Sequence, residues 1–278
     1  MIAVTGVGEV GAPLDVTREL GERGYKYLLP ASRHLLAATR RAVAGGGRLD
    51  RVPADRRGVA VGSSTAVREY FTQAMTATRQ EDLSPARAPY FAINALTTRV
   101  SSEHQLKAFS LTCTSPGVAG FEAIELGARA LATGRADVMV VAAMEETGAV
   151  AMIIEPGGTH QPRLLARTAF APPDLVTSDR GRRRLLADAA DIVQHARPRQ
   201  VHAVVDDSPV AEAVVRAVTT AGDGVAPVVT APGAGGCLSP MTLLSHLLRT
   251  ARENTLVITA TAEGHYAFGA FLPGVPPC

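Results

Sequence analysis

Cys113 is the residue whose type and setting best suit chemistry. It closes the mostly apolar stretch Ala108-Phe109-Ser110-Leu111-Thr112 and is followed by Thr114-Ser115-Pro116-Gly117. A strand ending there and a helix opening at Pro116 would hold the thiol on a sharp turn. Proline suits a helix's first turn, because the amide it lacks has no helical partner there. The positive end of that helix would favour the thiolate. Amides freed by the turn could stabilise an oxyanion, while Gly117 and Gly120 would admit a substrate or another backbone. Such a thiol can attack a thioester. The same residue also reads as a small buried hydrophobe, as most free cysteines are.

A second motif points to different chemistry. Gly6-Val7-Gly8-Glu9-Val10-Gly11 follows a short strand at Ile2–Thr5 and matches a dinucleotide-binding fingerprint. Its surroundings do not match. Ala12-Pro13-Leu14 stands where a helix should open. Tyr27-Leu28-Leu29-Pro30 stands where an acidic residue should close a second strand. The glycines therefore read as a strand-to-loop turn in a tightly packed core, and no cofactor is expected. His34, His104, His160, His195 and His246 show no metal-site spacing with the cysteines, so no metal is expected.

The chain has 278 residues, with 46% hydrophobic and 4% aromatic residues and no tryptophan. A core of this size must then be built from Ala, Val, Leu and Ile, as in buried strands covered by helices. The formal net charge is +2. The densest basic cluster, Arg180, Arg182, Arg183 and Arg184, opens a helix. It reads as a solvated face or as a docking surface for an acidic partner protein. Nucleic acid is not expected, for want of a basic patch interleaved with aromatics. The opening MIAVTGVGEVG lacks a signal-peptide pattern and no window reaches 18 uninterrupted apolar residues, so a soluble cytoplasmic protein off the membrane is expected. Three cysteines do not make a disulfide framework.

Hydrophobic periodicity gives the elements that would position these residues. In the first half it predicts strands at 2–5, 58–64, 108–111 and 137–144, with a last one from about 149. It predicts helices at 32–43, 69–78 and 116–134. In the second half it predicts strands at 164–169, 202–205 and 226–231 and a final pair joined by the turn at 263–266. The helices there run from about 182, 209 and 240. Residues 111–158 and 235–274 can be overlaid: each has Cys-x-Ser-Pro, a helix, and a hairpin ending in Pro-Gly. Two copies imply a duplicated α/β/α layered fold with mixed sheets, divided into halves 1–158 and 159–278. Cys237 is then the mate of Cys113, either a packing residue or a second thiol facing a shared cleft.

The stretch around Cys113 resembles the active-site region of the β-ketoacyl-acyl-carrier-protein synthases, a thiolase-like family. Their pattern is T-A-C-A-S-G, a helix, then R/G-x-A-D-v-m-i-A-G-x-x-E. The chain has Thr112-Cys113-Thr114-Ser115, then Gly134-Arg135-Ala136-Asp137-Val138-Met139-Val140 and Glu145. AVTGVGEVGAPL resembles the family's opening, and FAINALTTRVSSEHQLKAFSLTCTS its approach to the cysteine. The resemblance implies a thiolase-like fold, Cys113 as nucleophile, and acyl-carrier-protein or coenzyme-A thioesters as partners. It also implies a homodimer, or a heterodimer with a ketosynthase.

The departures matter as much. Condensing members resemble one another in a Cys-His-His set. The first histidine motif would fall on Val204–Pro209, where Asp206 and Asp207 stand. The second would fall on Val229–Ala234, where Ala234 replaces the histidine. Two imidazoles can donate to a developing enolate oxygen, whereas carboxylates repel it. The resemblance places the Glu263-Gly264-His265 turn at the family's gating loop, making His265 a candidate base and Glu263 and Gly264 candidate pocket residues. Family members are generally longer and carry an excursion between the positions of Glu145 and Gly148. Two functions follow. One is a ketosynthase-like acyltransferase or thioester-processing enzyme in polyketide or fatty-acid-like biosynthesis. The other is a non-catalytic, chain-length-factor-like partner of a full-length ketosynthase.

Overall fold

Unbroken apolar runs make the deepest strands. In the computed structural model, every residue of β4 (Val138–Glu145) is buried, as are the first seven of β5 (Gly148–Pro156). The structure describes residues 1–274 except 23, 26, 27, 47, 66–71, 73, 74, 77–91, 159, 234 and 235. The helix expected at 69–78 falls largely outside these. Among the described residues, no helix is long and apolar enough to cross a membrane.

The other strands are β1 (Ile2–Gly11), β2 (Arg57–Gly62), β3 (Phe109–Cys113), β6 (Arg163–Phe170), β7 (Gln200–Val205), β8 (Val228–Thr230), β9 (Thr255–Ala260) and β10 (His265–Leu272). Seven α-helices are described: α1 (Val16–Leu20), α2 (Pro30–Ala44), α3 (Ala95–His104), α4 (Ala119–Ala132), α5 (Asp179–Ala196), α6 (Pro209–Ala221) and α7 (Leu238–Thr250). Their starts follow local chemistry. Ser178 and Ser208 cap α5 and α6 through side-chain oxygens, and prolines open α2 and α6.

The strands form a sheet in the order β3-β2-β4-β5-β1-β6-β10-β9-β7-β8. Outward from the β1–β6 junction, each half follows the same path: first strand, fifth, fourth, second, third. The parallel and antiparallel pairings also match between halves. The junction itself is narrow, with only Ile2↔Leu164 and Ala3↔Arg163 in register.

Strand alternation sorts the core into layers. Val59, Val61, Val138, Val140 and Ala142 face an outer cluster with Leu35 and Leu36 of α2 and Leu96 of α3. Their neighbours Ala60, Met139, Val141 and Ala143 face a central cluster with Phe121 and Ile124 of α4 and Met241 and Leu244 of α7. Leu185, Ile192, Val214 and Val218 of α5 and α6 cover the far face, against Ala203, Leu256, Ile258 and Tyr266. The result is helices, half-sheet, two central helices, half-sheet and helices.

Three local expectations need correction. The glycine motif is not a strand-to-loop turn, because β1 continues to Gly11 in register with β5. Gly6 and Gly8 lie against α2; a Cβ would come within 2.2 Å of the Ala42 oxygen at Gly6 and 2.0 Å of the Ala38 oxygen at Gly8. Second, α4 opens at Ala119 and not at Pro116. Gly117 takes a φ of +67° in the turn before it. Third, the two Cys-x-Ser-Pro stretches are not equivalent. Cys113 ends a strand, whereas Cys237 is the N-cap of α7, well beyond the end of β8 at Thr230.

Candidate functional site

The Cys113 turn sits at the carboxyl ends of β2 and β3, where crossover connections leave backbone free to build a site. Cys113 is opposite Gly62, and a Cβ on Gly62 would strike Ala119 of α4 at 2.3 Å. Glycine there lets the helix close over the strand end. Cys113 is consequently 8% exposed and belongs to the central apolar cluster.

That burial decides the thiol's state. Desolvation, aided by the charge of Glu122 on α4, pushes its pKa up to about 12 from 9.0. Glu122 is held in place by a 2.6 Å bond from Ser115 Oγ. Among the described residues no side chain hydrogen-bonds to the sulfur. Burial thus favours the neutral thiol over the thiolate, and α4 opens only at Ala119, beyond the turn that carries the sulfur. Nor are these turn amides free: Gly117 N donates to Ser64 Oγ at 3.3 Å, Val118 N to Pro116 O at 2.8 Å and Ala119 N to Ser115 O at 3.1 Å.

The 261–265 turn does come to the Cys113 turn. A Cβ on Gly117 would lie 2.4 Å from Thr261 Cγ2. Thr261 N donates to His265 O and Gly264 N to Thr261 O, each at 2.9 Å. Gly264 has a φ of +101° and is pressed on the Ala171 carbonyl. His265, however, packs against Phe170 with the rings tilted by 57° and their centroids 5.1 Å apart, and Glu263 is exposed. Asp206 has a positioning task. It accepts from Ala262 N at 3.0 Å and Ser208 N at 3.1 Å, tying the end of β7 to the 261–265 turn. Asp207 is exposed, and Ala234 lies outside the described residues.

Glu145 emerges as the hub of the region. It is 1% exposed at the end of β4. Oε1 accepts from Ser64 N at 2.7 Å and from Cys237 Sγ at 3.2 Å. Oε2 accepts from Thr65 N at 2.9 Å, Thr65 Oγ1 at 2.5 Å and Ser63 Oγ at 3.3 Å. The loop so held reaches the cysteine turn twice, through Ser63 N to Cys113 O at 3.0 Å and through Ser64 to Gly117. Cys237 is fully buried. Desolvation first, then the charge of Glu145, raises its pKa well above the ordinary value, so it donates as a thiol. Gly236, at a φ of +49°, allows this approach. Sequence reasoning placed Glu145 in a motif without seeing this role. The signal was a carboxylate ending a run of seven apolar residues, Val138–Met144, which demands buried donors.

Among the described residues no group of three or more His, Cys, Asp or Glu side chains is arranged to hold a metal ion.

A family model, "Beta-ketoacyl synthase, N-terminal domain", matches residues 15–162, more than half of the chain. No curated protein sequence matches it. Among solved structures, the chain is similar to one described as a type II PKS acyl-carrier protein in complex with its ketosynthase bound to the hexaketide. The TM-score is 0.76 and the identity 16%, over 98% of this chain and 99% of that one. It is similar to "the ishigamide ketosynthase/chain length factor", with a TM-score of 0.74 and 16% identity over 98% and 99%. It is also similar to an oxazolomycin ketosynthase domain of Streptomyces albus JA3453, with a TM-score of 0.65 and 11% identity over 100% and 98%. Identities this low speak for the fold, which is the thiolase-like one of these ketosynthases. With the family model spanning the cysteine turn and β2 to β5, the chain belongs to the β-ketoacyl synthase family through its N-terminal domain.

Proposed function

We propose that this chain is a non-catalytic, chain-length-factor-like partner subunit of a full-length ketosynthase in polyketide or fatty-acid-like biosynthesis in the cytoplasm. Residues 1–158 and 159–278 are its two matching halves. The observation that carries the reading is the setting of Cys113: a buried thiol with its pKa raised to about 12, beside a carboxylate, with no imidazole among the described residues hydrogen-bonded to it. Nucleophilic cysteines need the opposite setting, an electropositive and partly exposed one. The positions of both family histidine motifs lack histidine, which removes the donors for a developing enolate. Chemistry on acyl-carrier-protein or coenzyme-A thioesters is then the work of the paired ketosynthase.

The sheet offers a surface for that pairing. Among the described residues β3 is an outermost strand, with Ser110 exposed and Phe109, Leu111 and Thr112 half-buried. An edge strand presents unpaired amides and carbonyls to any strand that docks beside it. Co-expression with a full-length ketosynthase is expected to yield a stable complex. Its product output is expected to survive Cys113→Ala. Failure to co-purify, or loss of output from an intact Cys113→Ala complex, overturns the proposal.

The packing of Thr261 on Gly117 favours a second reading, acyl transfer through Cys113 with His265 as base. It predicts an acyl adduct on the wild-type protein, absent from Cys113→Ala, by intact mass spectrometry after incubation with acyl thioesters.

A further inference from the structure

We propose that the outer face of the second half, where α5 and α6 lie side by side, docks an acidic amphipathic helix of a partner protein. This goes beyond the pairing through β3, which lies at the other end of the sheet.

The first observation is a hollow between the two helices. It has a volume of about 200 Å³ and is lined by Leu185, Leu186, Ala213 and Ala217 together with Arg182 and the ion pair of Arg216 with Glu212. A second hollow, with Pro172 and Leu175 on its lining, lies on the other side of the first turns of α5, between Arg180 and Arg184. Leu175 and Leu186 are 51% and 39% exposed. Two apolar hollows flanking one helix mark a surface shaped for contact.

The second observation is charge. Arg180, Arg182, Arg183 and Arg184 are all exposed, and none forms a salt bridge among the described residues. Arg40, Arg41, Arg56, Arg57, Arg129, Arg167, Arg216 and Arg249 do. An unpaired cluster beside apolar hollows is complementary to carboxylates flanking an apolar anchor.

These features select the occupant. Backbone groups in the bodies of α5 and α6 are satisfied within the helices, so an incoming strand finds no edge to pair with. A helix can instead present one large apolar side chain to the hollow and acidic residues to the arginines. A second copy of this chain docking through the same face would set arginine against arginine.

The test is fluorescence anisotropy with the full chain, alone and with the ketosynthase if the two co-purify. The probe is a labelled helical peptide carrying one leucine anchor flanked by glutamates. Binding is expected to saturate and to weaken as salt rises. It is expected to fall about tenfold or more when the peptide's glutamates become glutamines, and likewise in Arg182→Glu/Arg184→Glu and in Ala213→Phe, which fills the hollow. Circular dichroism confirms that the variants are folded. The proposal is overturned if wild type does not bind, if the glutamine peptide binds equally, or if Ala213→Phe binds unchanged. Occupation of the hollow by dodecanoate in preference to the peptide overturns it too, as does self-association of the chain that Arg182→Glu abolishes. None of these readings uses Cys113 or β3, so failure here and failure of the subunit proposal are separable.

Discussion

At the scale of single residues, the proton on Cys113 carries the most consequence. Its thiol prefers the neutral form in the folded state, with a pKa of about 12 against 9.0 when unperturbed. The folded state thus holds the proton more tightly. The associated stability is fully present below pH 9 and drains away as pH rises towards 12. Chemical denaturation at stepped pH should show this loss in wild type and a flatter profile in Cys113→Ala. Glu145 is a buried carboxylate that accepts from five donors. Glu145→Ala leaves the Ser64 and Thr65 amides without their acceptor and should cost about 3 kcal/mol in urea unfolding. The cysteine's position at a strand end was legible from the apolar run before it. Its chemical state was not, because it depends on Glu122 nine residues later and on packing supplied by both halves. The residues opposing a thiolate are invisible to any local motif.

At the scale of elements, hydrophobic runs were read well wherever burial is two-sided, as in β4 and β5. The glycine motif shows why β1 was cut short. A fingerprint of three glycines suggests a loop, yet Gly6 and Gly8 are two apart and so share one face of a strand. That face is where α2 presses its backbone. Gly8→Ala should therefore be far more damaging than an ordinary strand substitution, because the added methyl meets the Ala38 carbonyl at 2.0 Å. We expect a loss of about 3 kcal/mol, measured by thermal or urea unfolding. The Cys-x-Ser-Pro overlap erred for a related reason. Three matching residues in a stretch of four fix neither a strand end nor a helix cap. The order of elements around them, which the structure repeats strand for strand, was the better guide to the duplication.

At the scale of the whole molecule, the layered plan was legible because two series of strands and helices in the same order admit few packings. Which strands would lie at the edges was not, since edges depend on pairings between distant segments. Among the described residues β3 and β8 are the outermost strands, and Val228 and Val229 of β8 are 60% and 61% exposed. If β3 is the strand that meets a ketosynthase, Ser110→Lys should weaken the complex by about tenfold or more while leaving this chain folded, because a lysine on an edge blocks strand addition. Size-exclusion chromatography of the co-expressed pair, with circular dichroism of the variant, reads both quantities.

The first strand of the chain is also the middle plank of the sheet, held between β5 and β6, whose residues are made more than a hundred positions later. During synthesis β1 must wait, solvated, for both neighbours. Deleting residues 2–11 would split the molecule along its seam, so that deletion should impair solubility more than deletion of the outer strand β8.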